Sequence, residues 1–142
     1  MLRISLNISA PEGCYPLNME TVIYDGDCAF CLDKVEHFKR YDSRHDLEFI
    51  PRQDPTVEQR FPQLKNVSLD EGIVYIDRDN KMHIAADGIY RIAQHQDCAL
   101  MRVYAAVYPI PVIKQAAQLC YRIIAANRRR LGKSCAGGAC KL

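Results

Sequence analysis

TVIYDGDCAFCLDKVEHFKRYD, residues 21–42, changes its period half-way along, and that change decides the fold class. Thr21 to Asp25 is a short run of β-formers and predicts a strand. From Cys28 to Asp42 the apolar residues fall on one helical face. Cys31, Val35 and Phe38 share that face with Leu32, while Asp33, Lys34, Glu36, Lys39 and Arg40 take the other. A strand that runs directly into a helix opens a βαβ unit, so an α/β fold is expected.

Leu47 to Ile50 reads as a second strand, closed by Pro51. Asp54-Pro55 starts a helix carrying Val57, Phe61 and Leu64, shortened or bent by Pro62. Ile73 to Asp77 is the most apolar strand, and the turn residues Asp77 to Lys81 join it to Met82–Ala85 as a hairpin. Asp87 opens a helix through Ile89, Ile92 and Ala93, and Asp97 caps another over Leu100 to Tyr108. After Pro109 and Pro111 a last helix runs from about Val112 to Arg130, with Gly132 as its stop. Its apolar stripe is Ile113, Ala116, Leu119, Cys120 and Ile123. Burying such side chains is worth roughly 1.5–3 kcal/mol each, so residues 98–142 are expected inside the fold, not as a detachable arm. The order β-α-β-α-β-β-α, with two further helices, matches a thioredoxin-like mixed sheet. Residues 1–20 read as a loosely attached leader, 21–133 as the domain, and 134–142 as a flexible tail with cysteines.

At 142 residues and 16.2 kDa, with 49% hydrophobic and 25% charged residues, the chain has the make-up of one globular domain. Such a chain buries about two thirds of its unfolded surface and needs no cross-links for its core. Seven cysteines therefore call for a chemical explanation. Their odd number argues against a fully paired secretory framework, and MLRISLNISAPEG does not read as a secretory signal. The quiet stretch Val103–Ile113 is too short to span a bilayer. A cytoplasmic protein with reduced thiols is expected.

The net charge of +2 is unevenly spread. Residues 98–142 hold eight Lys or Arg and no acid, whereas residues 1–97 hold eleven against all 17 acids. A basic tail suits nucleic acid or anionic lipid. The simpler reading is that Arg128, Arg129 and Arg130 offset the negative end of the helix dipole. No nucleic-acid partner and no stable membrane insertion are expected.

The chemistry concentrates at Cys28-Ala-Phe-Cys31, a C-x-x-C pair where strand meets helix. Thiolate is the nucleophile, and a helix N-terminus lowers the pKa of a cysteine in its first turn. Cys28 is expected to be the solvent-facing, attacking sulfur and Cys31 the more buried, resolving one. Gly26 permits a tight bend between strand and helix. Asp25 and Asp27 oppose a Cys28 thiolate by charge. Asp27 is a candidate helix cap, and Asp25 either accepts the Cys31 proton or makes a structural hydrogen bond.

Two other chemistries compete. Cys28 and Cys31 with Cys135 and Cys140 would make a zinc or other thiophilic-metal site, although the C-x4-C spacing is loose for zinc. Asp25-Gly-Asp27 after an apolar strand resembles the nucleophile loop of haloacid-dehalogenase-type phosphatases, with Asp77 and Asp79 as further ligands for Mg²⁺. His37 reads as surface, and His45, His83 and His95 show no ligand spacing. Cys98 and Cys120 read as inert core thiols, and Cys14 has no assigned role.

YDGDCAFC (residues 24–31), ADGI (86–89) and YRIIAANR (121–128) together resemble the DCC family of thiol-disulfide oxidoreductases, over about residues 21–135. The resemblance implies a thioredoxin-like fold and protein-disulfide reductase activity. It makes Cys28 and Cys31 the redox pair and Asp25 the signature acid. Unlike thioredoxin, the chain has no Trp before Cys28 and no Pro before Ile73. The expected partners are a disulfide-containing protein or small-thiol substrate and a reductant that recycles the pair, with no external cofactor.

Overall fold

In the computed structural model, which describes residues 19–68 and 71–131, β1 (Glu20–Tyr24) lies between two partners. It pairs in parallel with β2 (Leu47–Pro51) and antiparallel with β3 (Val74–Ile76), and β3 pairs antiparallel with β4 (Met82–Ile84). The order β2-β1-β3-β4 gives a four-stranded mixed sheet, the arrangement of a thioredoxin-like α/β fold. Among the described residues five α-helices accompany it: α1 (Ala29–Tyr41), α2 (Pro55–Arg60), α3 (Ala86–Ala93), α4 (Ala99–Val107) and α5 (Pro111–Leu131). A 3₁₀ segment at Pro62–Asn66 follows α2, where Pro62 cannot donate into the preceding helix.

Alternation along the strands produces two cores, one on each side of the sheet. Val22, Tyr24, Leu47, Ile73 and Tyr75 pack with Val35 and Phe38 of α1 and Ile92 of α3. Ile23, Ile50, Val74 and Ile76 pack with Val57, Phe61, Leu64 and Val67. Register brings Tyr24 beside Pro51 and Ile23 beside Val74. The ends of β1 and β2 and the start of β3 therefore meet at one edge, where α1 begins.

The last helix differs from expectation. Ile113, Ala116, Leu119, Cys120 and Ile123 are exposed, and the covered face is Ala117, Gln118, Tyr121, Ala125 and Arg128. Tyr121 packs against the core with Ile73, and Gln118 reaches Asp87 of α3 at 3.4 Å. Helix α5 packs on α1 and α3 through the side opposite the apolar stripe, and α4 packs on α3. Tyr108, 2% exposed, anchors the turn between α4 and α5 by donating to Asp87 Oδ1 at 2.8 Å.

Helix starts also shift. Cys98, not Asp97, sits at the N-cap of α4, while the Asp97 N–H donates to the Tyr41 carbonyl at 3.0 Å. Cys98 is half-buried and Cys120 exposed, so neither is a core thiol. Most of the proposed leader, the stop at Gly132, and Cys14, Cys135 and Cys140 lie outside the described residues.

Candidate active site

β1 delivers Asp25 to the edge of the sheet, and the chain turns through Gly26 and Asp27 into α1. The cap of α1 is Cys28, not Asp27: its Sγ accepts the N–H of Cys31 at 3.4 Å. The capping sulfur thus occupies the place where helix N–H groups and the helix dipole favour negative charge. Capping also tucks this side chain over the first turn. Cys28 is 5% exposed and Cys31 half-buried, the reverse of the accessibility expected from sequence.

Burial, a hydrogen bond to Cys28 and the charge of Cys28 push the Cys31 thiol up to about 12, against the opposing effect of Arg128. Cys31 is therefore the thiol that keeps its proton. Both cysteines carry free thiols.

Arg128 is the residue that sequence reasoning placed wrongly. Far from closing a helix in solvent, it is 4% exposed and points into this corner. Its Nη1 donates to Cys31 Sγ at 3.7 Å, and its Nη2 lies 3.2 Å from Asp25 Oδ2. Asp25 is buried too, so the two charges compensate one another out of water. Arg128 bridges the signature acid and the second cysteine, and it offsets the negative charge that Asp25 brings near Cys28.

Gln53 is a second residue the sequence did not reveal. Its Nε2 donates to Asp25 Oδ1 at 2.9 Å and Asp27 Oδ2 at 3.1 Å, and its Oε1 accepts the Gly26 N–H at 2.9 Å. One amide side chain therefore holds the whole turn before Cys28. Gly26 is required by this close approach: a Cβ there would lie 2.9 Å from both Gln53 Oε1 and Pro51 Cβ. Opposite, Gly72 at φ +87° lets β3 begin against Tyr121, whose hydroxyl accepts the Ile73 N–H at 2.9 Å. A Cβ on Gly72 would collide with that hydroxyl. A cleft of about 760 Å³ opens beside Arg128, lined by Tyr121, Arg122 and Arg129 of α5 and by Ile84 and Ala85.

The competing assignments separate in space. Asp77 follows β3, which runs antiparallel to β1, so it lies at the opposite end of the sheet from Asp25. There its carboxylate accepts the N–H groups of Asp79 and Lys81 and meets His83 at 2.9 Å, which stabilises the hairpin. Asp25, Asp27, Asp77 and Asp79 thus do not converge on a phosphatase site. His95 lies at that far end as well, between Asp46 at 2.9 Å and Glu20 at 2.8 Å. Among the described residues no group of three or more His, Cys, Asp or Glu side chains could hold a metal ion. The second half of the postulated metal site, Cys135 and Cys140, lies outside them.

A C-x-x-C pair at a strand-to-helix junction, its first sulfur capping the helix, suits thiol redox chemistry, and family comparison agrees. Residues 22–134 match the DCC1-like thiol-disulfide oxidoreductases. The chain belongs to that family. No curated protein and no solved structure matches it. As a DCC1-like chain it contributes Tyr121 and Arg128 to the cysteine corner from the YRIIAANR segment of α5.

Proposed function

We propose that this protein exchanges disulfides with Cys28 as the attacking sulfur and Cys31 as the resolving one, working as a protein-disulfide reductase. The observation that carries the reading is the cap: Cys28 Sγ receives the Cys31 N–H at the start of α1, while Cys31 holds its proton up to about 12. A thiolate on Cys28 attacks one sulfur of a substrate disulfide. A Cys28–substrate bond forms, and the substrate S–S bond breaks to release a thiolate that takes a proton. Cys31 then gives up its proton and attacks Cys28 Sγ. The Cys28–Cys31 disulfide forms, the second substrate sulfur leaves as a thiol, and the substrate has gained two electrons that the pair has lost. Two reductant thiols reset the enzyme: the first attacks Cys28 Sγ and frees Cys31, and the second attacks the reductant sulfur of that mixed disulfide, frees Cys28 and leaves as the reductant's own disulfide.

Arg128 supports the second step. Its guanidinium favours the Cys31 thiolate as it forms, and Asp25 positions the guanidinium. The setting that suits this cycle is the reducing cytoplasm.

Peptide mapping of oxidised protein, with metal analysis of protein purified with and without reductant, tests the reading. The expected result is loss of two thiols as a Cys28–Cys31 disulfide and no stoichiometric metal. A Cys28 bond to Cys135 or Cys140, or one zinc per chain, contradicts it.

A further inference from the structure

Helix α5 presents its most apolar residues to solvent. At about 100° per residue, Val112, Ala116, Leu119, Cys120 and Ile123 form one stripe, diametrically opposite the face that Tyr121 and Arg128 bury. Val112 is 73% exposed, Leu119 60% and Ile123 56%. Elsewhere in the C-terminal helices Leu100 and Val103 of α4 are exposed as well. An exposed apolar helix face of this kind marks an interaction surface. Exposed Arg122 and Arg129 border the stripe on one side, and Arg130 lies at its end.

Charge selects the occupant. No acid occurs anywhere in residues 98–142, against eight Lys or Arg. Joining two α5 stripes in a symmetric dimer would bring two acid-free basic helices together with no counter-charge. Nucleic acid would offer phosphates but nothing for Leu119 and Ile123. An anionic lipid surface answers both halves of the pattern, phosphates for the arginines and the acyl boundary for the stripe. No described helix is long and apolar enough to cross a membrane, so contact would be in the plane of the surface.

We propose that the outer face of α5 docks this protein onto anionic membrane surfaces, its apolar stripe entering the headgroup boundary and Arg122, Arg129 and Arg130 meeting lipid phosphates. The opposite face of the helix carries Arg128, so docking leaves the contact with Cys31 and Asp25 on the protein side.

The test is co-sedimentation of the full chain with vesicles of phosphatidylcholine alone or mixed with phosphatidylglycerol, with light scattering of the lipid-free protein alongside. Binding is expected only to the phosphatidylglycerol vesicles, weakening with salt. Leu119→Glu with Ile123→Glu should lower it about tenfold or more, and Arg122→Glu with Arg129→Glu should also weaken it. All four side chains are exposed, so the variants should melt like the parent. Equal binding to both vesicles, binding unaffected by Leu119→Glu with Ile123→Glu, or no binding overturns the proposal. So does a dimer that those glutamates dissociate while vesicle binding is absent, which would assign the stripe to a second copy. None of these readouts depends on thiol chemistry.

Discussion

Tyr121 and Arg128 lie half a helical turn away from Leu119 and Ile123, and the two faces of α5 invert the usual relation between polarity and burial. The packed face buries a guanidinium and a phenol, because the cysteine corner offers them Asp25, Cys31 and the Ile73 N–H as partners. The outer face leaves branched aliphatic side chains in contact with solvent. Apolar residues seek the interior only where an interior is available. A buried charge persists where its partner is fixed beside it. The proposed disulfide exchange uses the inward face, and the proposed docking uses the outward one.

Breaking the inward face should have the largest effect. Arg128→Ala leaves Asp25 buried without its counter-charge and should cost about 3–5 kcal/mol in chemical denaturation. A loss below 1 kcal/mol would mean that water, not Arg128, compensates Asp25. Gly72→Ala forces a side chain into left-handed backbone against the Tyr121 hydroxyl and should cost about 1–3 kcal/mol. Tyr121→Phe in that background should recover part of the loss, and purely additive effects would show that the two residues do not meet. Alone, Tyr121→Phe strips the Ile73 N–H of its acceptor and should cost about 1 kcal/mol. Leu119→Glu, on the outward face, should change stability by no more than about 0.5 kcal/mol. A larger loss would show that the stripe is covered in the intact chain.

The same comparison predicts a pH effect. Cys31 must lose its proton to resolve a mixed disulfide, and its thiol holds that proton up to about 12. Resolution should therefore accelerate as pH rises through neutrality. Arg128→Met removes a group that lowers this proton affinity, so its pH–rate curve should move to higher pH. Stopped-flow reduction of a mixed disulfide formed on Cys28 measures both curves, and coincident curves would remove Arg128 from the chemistry.

Periodicity was enough to find β1, α1, the hairpin and the C-x-x-C at their junction, because each is local. The direction in which α5 faces was not legible. A 3.6-residue period reveals an apolar stripe but not which side the domain covers. Arg128 had a sufficient local explanation in the helix dipole, which hid its reach across the fold to Asp25. Gln53 left no signal, since a glutamine after Pro51 and Arg52 is ordinary until the β1–β2 register places it beside Gly26. The burial order of the two cysteines depended on the cap. With Cys28 rather than Asp27 at that position, the sulfur turns back over the helix and out of solvent.

Trapping of mixed disulfides by the single cysteine variants tests the roles of the pair most directly. Cys31→Ser should accumulate covalent partners on Cys28, seen on a non-reducing gel of cell extract, and Cys28→Ser should trap little. If Cys28→Ser is the better trap, the accessible Cys31 is the attacking sulfur and the order of steps is reversed; if neither variant traps a partner, Cys28 and Cys31 are not a disulfide-exchange site.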